Sequence, residues 1–329
     1  MGTERDGTAR RTVGRGAGRM LQGLGLALAV TILTTAVAGA MEFSAWTSAQ
    51  KIDEIAGNSS ELNTPFLDGC PIQSPDGLEV YQASNRPGGE GGLDIWVAQR
   101  ASTEAPFGPP QNLGFPVNSA ADDFCPTPVR GGGLFFISRR ATPESCGLGD
   151  IYFTRLNRIH GWSEPVHLAC APQGPNSALD EQGPSYVETE ARTQLYFSRS
   201  SAVVPGDIFV SEQLGDGAFG PATAVAELND TMANDIQPNV RKDGREIVFS
   251  SNRAGGLGAQ DIWVSTRESA TDPWTTPSNL GDAVNSAAAE TRPSLSWGAQ
   301  ELLFGRAPGP EGMSDIYLAT RERVTGTGG

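Results

Sequence analysis

A chain of 329 residues with 24 basic and 38 acidic residues carries a net charge of −14. An excess of that size excludes a broad phosphate-neutralising face, and with it nucleic acid, and it excludes docking on an anionic lipid surface. Forty-one glycines and 23 prolines, with no heptads and no long amphipathic pattern after residue 40, exclude a helical bundle and fit many short strands joined by turns.

The N-terminus reads as a targeting segment. Arg5, Arg10, Arg11, Arg15 and Arg19 precede an apolar run from about Leu21 to Ala38. Ala36-Val37-Ala38 and Ala38-Gly39-Ala40 both fit an A-x-A cleavage site. Uncut, the run is long enough to span a bilayer. Residues 1–40 are therefore expected to be a signal peptide or an N-terminal membrane anchor. Both place the remainder outside the cytoplasm, in the periplasm, in the medium or tethered facing outward. Without this segment 19 basic and 36 acidic residues remain, a net of −17.

Internal repetition dominates the rest. Asp94-Ile95-Trp96-Val97 recurs as Asp150-Ile151-Tyr152-Phe153, Asp207-Ile208-Phe209-Val210, Asp261-Ile262-Trp263-Val264 and Asp315-Ile316-Tyr317-Leu318. An aromatic residue followed six positions later by an aliphatic one keeps step: Trp46/Ile52, Phe107/Leu113, Trp162/Leu168, Phe219/Val225 and Trp274/Leu280. A proline marks each unit (Pro71, Pro126, Pro184, Pro238, Pro293), about ten residues before an apolar run such as Ile247-Val248-Phe249. Each unit reads as four short strands, the first starting at its proline, and repeats of that kind stack radially to bury their faces. The predicted fold is all-β, a five-bladed β-propeller of four-stranded antiparallel blades over residues 41–323. Residues 324–329 are expected to be a disordered tail.

The phase of the repeats predicts the closure. The aromatic-aliphatic pair appears at Trp46 before any Asp-Ile motif, and the last motif, at Asp315, has no such pair after it. The strand around Trp46–Ile52 should complete the fifth blade beside Asp315–Arg321, closing the ring non-covalently and removing an open edge. Pro110, Pro165 and Pro277 fit that fourth strand being outermost. A closed ring of this kind is expected to be a monomer.

Ser74-Pro75-Asp76-Gly77, Ser84-Asn85-Arg86-Pro87-Gly88-Gly89 and Asp94-Ile95-Trp96-Val97 together resemble the PD40, or WD40-like, β-propeller repeat of TolB-like propellers. Ser251-Asn252-Arg253-Ala254-Gly255-Gly256 with Asp261-Ile262-Trp263 is similar again. The resemblance covers about residues 46–321. It implies a propeller of the bacterial envelope and, since propellers carry unrelated activities, no particular function.

Candidate site residues follow from the repeats. An acid stands three residues before each proline: Asp68, Asp123, Glu181, Asp235 and Glu290. Asn63, Asn118, Asn176, Asn229 and Asn285 precede them. Five carboxylates at the start of the innermost strands are expected to ring one mouth of the central channel. They would either bind a cation such as Ca2+ or a basic ligand, or accept backbone N–H bonds as turn-forming scaffold, which fivefold repetition favours. An arginine eight to ten residues before each Asp-Ile motif predicts ion pairs across the loop, Arg86 with Asp94 and Arg253 with Asp261 among them.

Four cysteines in an oxidising compartment predict disulfides, with Cys70–Cys125 and Cys146–Cys170 the favoured pairing of three possible ones. The absence of C-x2-C spacing makes a zinc site the weaker reading. His160 and His167 are expected at the surface. No G-x-S-x-G or H-E-x-x-H motif occurs.

Two functions compete. One is a non-enzymatic module that binds a protein, peptide or glycan, with specificity in divergent loops such as Arg139–Gly149 and Pro308–Met313. The alternative is a polysaccharide-cleaving propeller, a glycoside hydrolase or lyase, that uses unlike carboxylates in a deep pocket. Asp122, Asp180 and Asp230 lie outside the fivefold pattern and are the acids to examine for it.

Overall fold

A computed structural model describes Met1 and residues 42–324. The targeting segment lies outside the described residues, as do residues 325–329 of the expected tail. No described helix is long and apolar enough to cross a membrane.

The chain forms five antiparallel blades in sequence order. Blade 1 comprises Asp68–Gln73, Glu79–Ser84, Asp94–Gln99 and Gln111–Asn112. Blade 2 comprises Asp123–Val129, Gly133–Ser138, Asp150–Asn157 and the split fourth segment Gly161–Trp162 and Val166–His167. Blade 3 comprises Asp180–Glu188, Thr193–Ser200, Asp207–Glu212 and Thr223–Ala224. Blade 4 comprises Asp235–Val240, Glu246–Ser251, Asp261–Thr266 and Ser278–Asn279. Blade 5 comprises Ala289–Leu295, Glu301–Ala307, Asp315–Thr320 and, from the other end of the chain, Gln50–Lys51. The first strands pack against one another in cyclic order, so the blades close a ring around a central axis. The five-bladed propeller is as the repeats predicted.

Closure also follows the repeat phase. Gln50 pairs with Leu318 and Lys51 with Tyr317. A second, outer pairing joins Glu42 and Phe43 to Val324 and Arg323. Val324, placed in the tail by sequence, is thus held in a strand. The two pairings tie the N-terminal segment to the C-terminal strands and close the ring without a covalent link.

Hydrophobic clusters occupy the seams between blades. Val80, Ala98 and Phe107 of blade 1 meet Ile52, Leu303 and Ile316 of blade 5. Tyr81 and Ile95 meet Leu134, Phe136 and Tyr152 of blade 2. Val248 and Ile262 of blade 4 meet Leu302, Phe304 and Tyr317 of blade 5. A four-stranded sheet has two apolar faces and no layer of its own to cover them, so each blade depends on its neighbours.

The repeat proline is not the start of the first strand. It sits inside it, at a bulge three residues after the acid, and the register against the second strand shifts there in all five blades. The residue before each proline adopts a left-handed conformation: Cys70 (φ 49°), Cys125 (50°), Gly183 (58°), Gln237 (55°) and Arg292 (57°). A bulge tolerates proline because the extra residue donates no ladder hydrogen bond. The positive φ turns the preceding side chain towards the axis.

Candidate functional site

The five repeat acids stand at or next to the starts of the first strands, at one end of the ring, and they form no open carboxylate ring. Each is fully buried. Each is paired with an arginine at or just beyond the end of its own blade's second strand: Arg86–Asp68 at 2.5 Å, Arg140–Asp123 at 2.8 Å, Arg199–Glu181 at 2.8 Å, Arg306–Glu290 at 2.7 Å, and Arg253–Asp235. The other lone pairs accept from the turn just upstream. Thr64 N and Oγ1 donate to Asp68, Ser119 N and Oγ to Asp123, and Ser286 N and Oγ to Glu290. Donors of this chain occupy these carboxylates, so the five acids form internal ion pairs, the scaffold arrangement that fivefold repetition favours, rather than an open set of cation ligands.

The same geometry corrects the predicted pairs across the loop. Arg86 does not meet Asp94, nor Arg253 Asp261. Asp94 instead accepts from the N–H groups of Glu90 and Gly91, and Asp261 from Leu257 and Gly258. The reason is register. Ser84 lies opposite Asp68, and Arg86, just beyond it, is anchored by Ser84 Oγ and swings back over the first strand. The loop glycine Gly91 packs on the next blade. A side chain there would come within 2.4 Å of the carbonyls of Ser119 and Ala121.

The asparagines join neighbouring blades. Asn118 accepts from Ile95 N and donates to Ile95 O of the preceding blade. Asn176, Asn229, Asn285 and Asn63 do the same with Ile151, Ile208, Ile262 and Ile316. Acid, arginine and asparagine are therefore one structural device repeated five times.

Among the acids outside the pattern, Arg139 bridges Asp122 (3.1 Å) and Asp180 (3.0 Å). Asp230 Oδ1 accepts from Met232 N in its own turn. The three are not brought together in one pocket. Burial dominates at Glu181 and pushes its carboxyl up to about 7, outweighing Ser177 and Arg199.

Cys146 and Cys170 form the predicted disulfide, Cα atoms 5.9 Å apart. Cys70 and Cys125, expected to be bonded, are free buried thiols that both accept from Arg292 Nη1, Cys125 at 3.2 Å. His160 is exposed, as expected. His167 is not: it packs edge-on against Tyr152, with Nε2 3.1 Å from Asp150 and 3.8 Å from Cys146 Sγ. Its ring nitrogen and the two sulfurs lie within 4.8 Å of one another. With the disulfide formed neither sulfur is a thiolate, so this trio lacks the ligands of a zinc centre.

The axis itself is nearly filled. A space of about 30 Å3 remains between Cys70, Cys125, Gly183, Gln237 and Arg292. A larger concavity, a cleft of about 990 Å3, lies between blades 2 and 3 and reaches Lys242 of blade 4 and Trp297 of blade 5. It is lined by the far ends of the first strands and their hairpins, opposite the five acids, and runs along the seam past Phe153 to the Val166–Ala169 segment of blade 2. Phe153, Tyr186 and Trp297 show half-buried rings to it. Phe135 stacks beneath Tyr186 at 5.6 Å and Phe219 meets Phe135 edge-on. Arg130 of blade 2 and Lys242 of blade 4 lie over the Trp297 ring of blade 5, at 4.5 and 5.3 Å. Arg130, Arg155 and Lys242 are exposed in this cleft, and none has a carboxylate within 4 Å among the described residues. Glu188 and Glu190 are exposed on the same rim. The repeats do not reveal this site, because Phe153 and Phe219 read there as interblade packing and the cations that distinguish the cleft stand at positions that differ between blades. The only sequence signal was the break in repetition at Arg130, Lys242 and Trp297, in the turn between the first two strands.

No protein-family model matches the chain, and no curated protein matches it. Solved structures do. An α-L-arabinofuranosidase from Podospora anserina, solved in complex with cellotriose, superposes with a TM-score of 0.55 at 11% identity, over 85% of this chain and 98% of that one. An α-L-arabinofuranosidase from Lactobacillus brevis gives 0.54 at 11% identity, over 80% and 93%. A thermostable family-43 glycoside hydrolase gives 0.52 at 13% identity, over 78% and 89%. The shared feature is the fold. At such identities the activity does not transfer with it.

Proposed function

We propose that the protein is an exported glycan-binding propeller whose ligand is an anionic oligosaccharide held in the cleft between blades 2 and 3. One observation carries the reading: three exposed cations without carboxylate partners share a cleft with half-buried aromatic rings, on a chain of net charge −14. Pyranose rings present C–H faces that complement the negative face of an aromatic ring, and the cations complement a carboxylate or sulfate. Calorimetry with short uronate oligosaccharides tests it, with neutral xylo-oligosaccharides as the control. Lys242→Ala and Tyr186→Ala are each expected to weaken uronate binding about tenfold, near 1.4 kcal/mol. Equal binding of neutral and acidic sugars, or none of either, would reject it.

A second reading, cleavage of that glycan, is supported by Glu188 and Glu190 on the cleft rim and by the fold shared with glycoside hydrolases. Two carboxylates flanking a bond are what glycoside hydrolysis requires. New reducing ends from the uronate oligomer, lost in both Glu188→Gln and Glu190→Gln, would establish it. Binding without cleavage would leave the first reading alone.

A further inference from the structure

The axis holds a chemical group that the cleft does not use. The bulge position is occupied by Cys70, Cys125, Gly183, Gln237 and Arg292 around the ring, and the two cysteines are on adjacent blades. Both sulfurs accept hydrogen bonds from the same nitrogen of Arg292. Arg292 has no carboxylate within 4 Å among the described residues, unlike the five repeat arginines. Arg292 is half-buried at the axis, and a thiolate at either sulfur would place a counter-charge in contact with its guanidinium.

We propose that Cys70 and Cys125 form a dithiol that reduces small hydroperoxides, Cys125 attacking and Cys70 resolving, with Arg292 as counter-charge. The two thiols are not equivalent. Burial and the hydrogen bond with Cys125 push Cys70 up, so it stays protonated. Burial alone would raise Cys125 too. The hydrogen bond from Cys70, the charge of Arg292 and the Gly183 N–H outweigh it and bring the thiol down to about 7. Asp180, itself held by Arg139 and Gln182, is the one nearby acid that opposes this. The space of about 30 Å3 admits a molecule the size of water or hydrogen peroxide and excludes bulky disulfides. Gly183 keeps it open, since a side chain there would meet the Gln237 backbone at 2.7 Å.

The chemistry balances with hydrogen peroxide as the oxidant. The Cys125 thiolate attacks one peroxide oxygen. An S–O bond forms, the O–O bond breaks, and the hydroxide leaving group takes up a proton to become water. Cys70 then attacks the sulfenic sulfur. The S–S bond forms, the S–O bond breaks, and the departing hydroxide carries off the Cys70 proton as a second water. The dithiol loses two electrons and the peroxide gains two.

The test uses the full-length purified chain, with peroxide added and thiols counted in denaturant. Two free thiols are expected before addition and none after one equivalent, with peptide mapping placing the new bond at Cys70–Cys125. Cys70→Ser should accumulate a sulfenic acid at Cys125, trapped by dimedone once denaturant opens the axis, and Cys125→Ser should not react. The rate should rise with pH through about 7, and Arg292→Gln should slow it roughly fivefold at pH 7, because the gain in thiolate nucleophilicity offsets part of the lost thiolate. A chain isolated without free thiols supports the proposal if mild reduction opens Cys70–Cys125 and peroxide re-forms it. A bond that resists reduction, thiols that persist in excess peroxide, or equal reaction of the two serine variants would overturn it.

Discussion

Arg140 donates to Asp123 at 2.8 Å and leaves Asp150, the aspartate next along the chain, to cap its own loop. The bond runs across the blade, from the end of the second strand to the start of the first. The equivalent pair in each of the other blades fixes the start of that blade's innermost strand in the same way, and the channel and the interblade seams depend on those strands.

Arg140→Met is expected to destabilise the fold by about 3 kcal/mol, because it leaves the fully buried Asp123 carboxylate with its counter-charge removed. Asp94→Ala, which removes only loop-capping bonds, should cost about 1 kcal/mol. Urea unfolding of both variants checks the order. Equal losses would restore the pairing across the loop.

Asn118→Ala removes a bond in each direction between blades 1 and 2 and leaves the Ile95 N–H and C=O buried without that partner. A loss of about 2 kcal/mol is expected. The same substitution at Asn285 should cost a similar amount, since Asn285 makes the same two bonds to Ile262. Melting curves of the two variants measure this.

Glu181 gives stability a definite pH dependence. Its folded-state carboxyl titrates near 7, above the usual carboxylate value. A raised pKa means that the folded state holds the proton more tightly than the unfolded one. Its contribution is therefore fully present below the unfolded pKa and is lost as pH rises through about 7. Wild-type stability should fall between pH 5 and pH 8, and that slope should flatten in Glu181→Gln. An unchanged slope would place the titration elsewhere.

Reducing Cys146–Cys170 reopens a loop spanning 24 residues. Loop-closure entropy predicts a loss of about 3 kcal/mol. The blade 2 loop beside the cleft should then lose amide protection in hydrogen exchange before the blade 4 strands do.

Some of this protein was determined by its sequence alone. Five Asp-Ile motifs at regular spacing required five blades, because each four-stranded unit can bury its faces only on another copy. The unmatched aromatic-aliphatic pair at Trp46 required the N-terminal strand to close blade 5, and Gln50 pairs with Leu318 there. The Cys146–Cys170 bond was legible because both residues flank one pair of strands. The partners of Asp68 and Arg86 were not. Sequence distance favoured Asp94, whereas a β-ladder's register brings together residues far apart in the chain. Nor could sequence reveal that Cys70, Cys125 and Arg292 meet at the axis, because a left-handed bulge decides which side chains turn inward. The cleft is tertiary in the same sense. Arg130, Lys242 and Trp297 come from three blades, and only the closed ring brings them together.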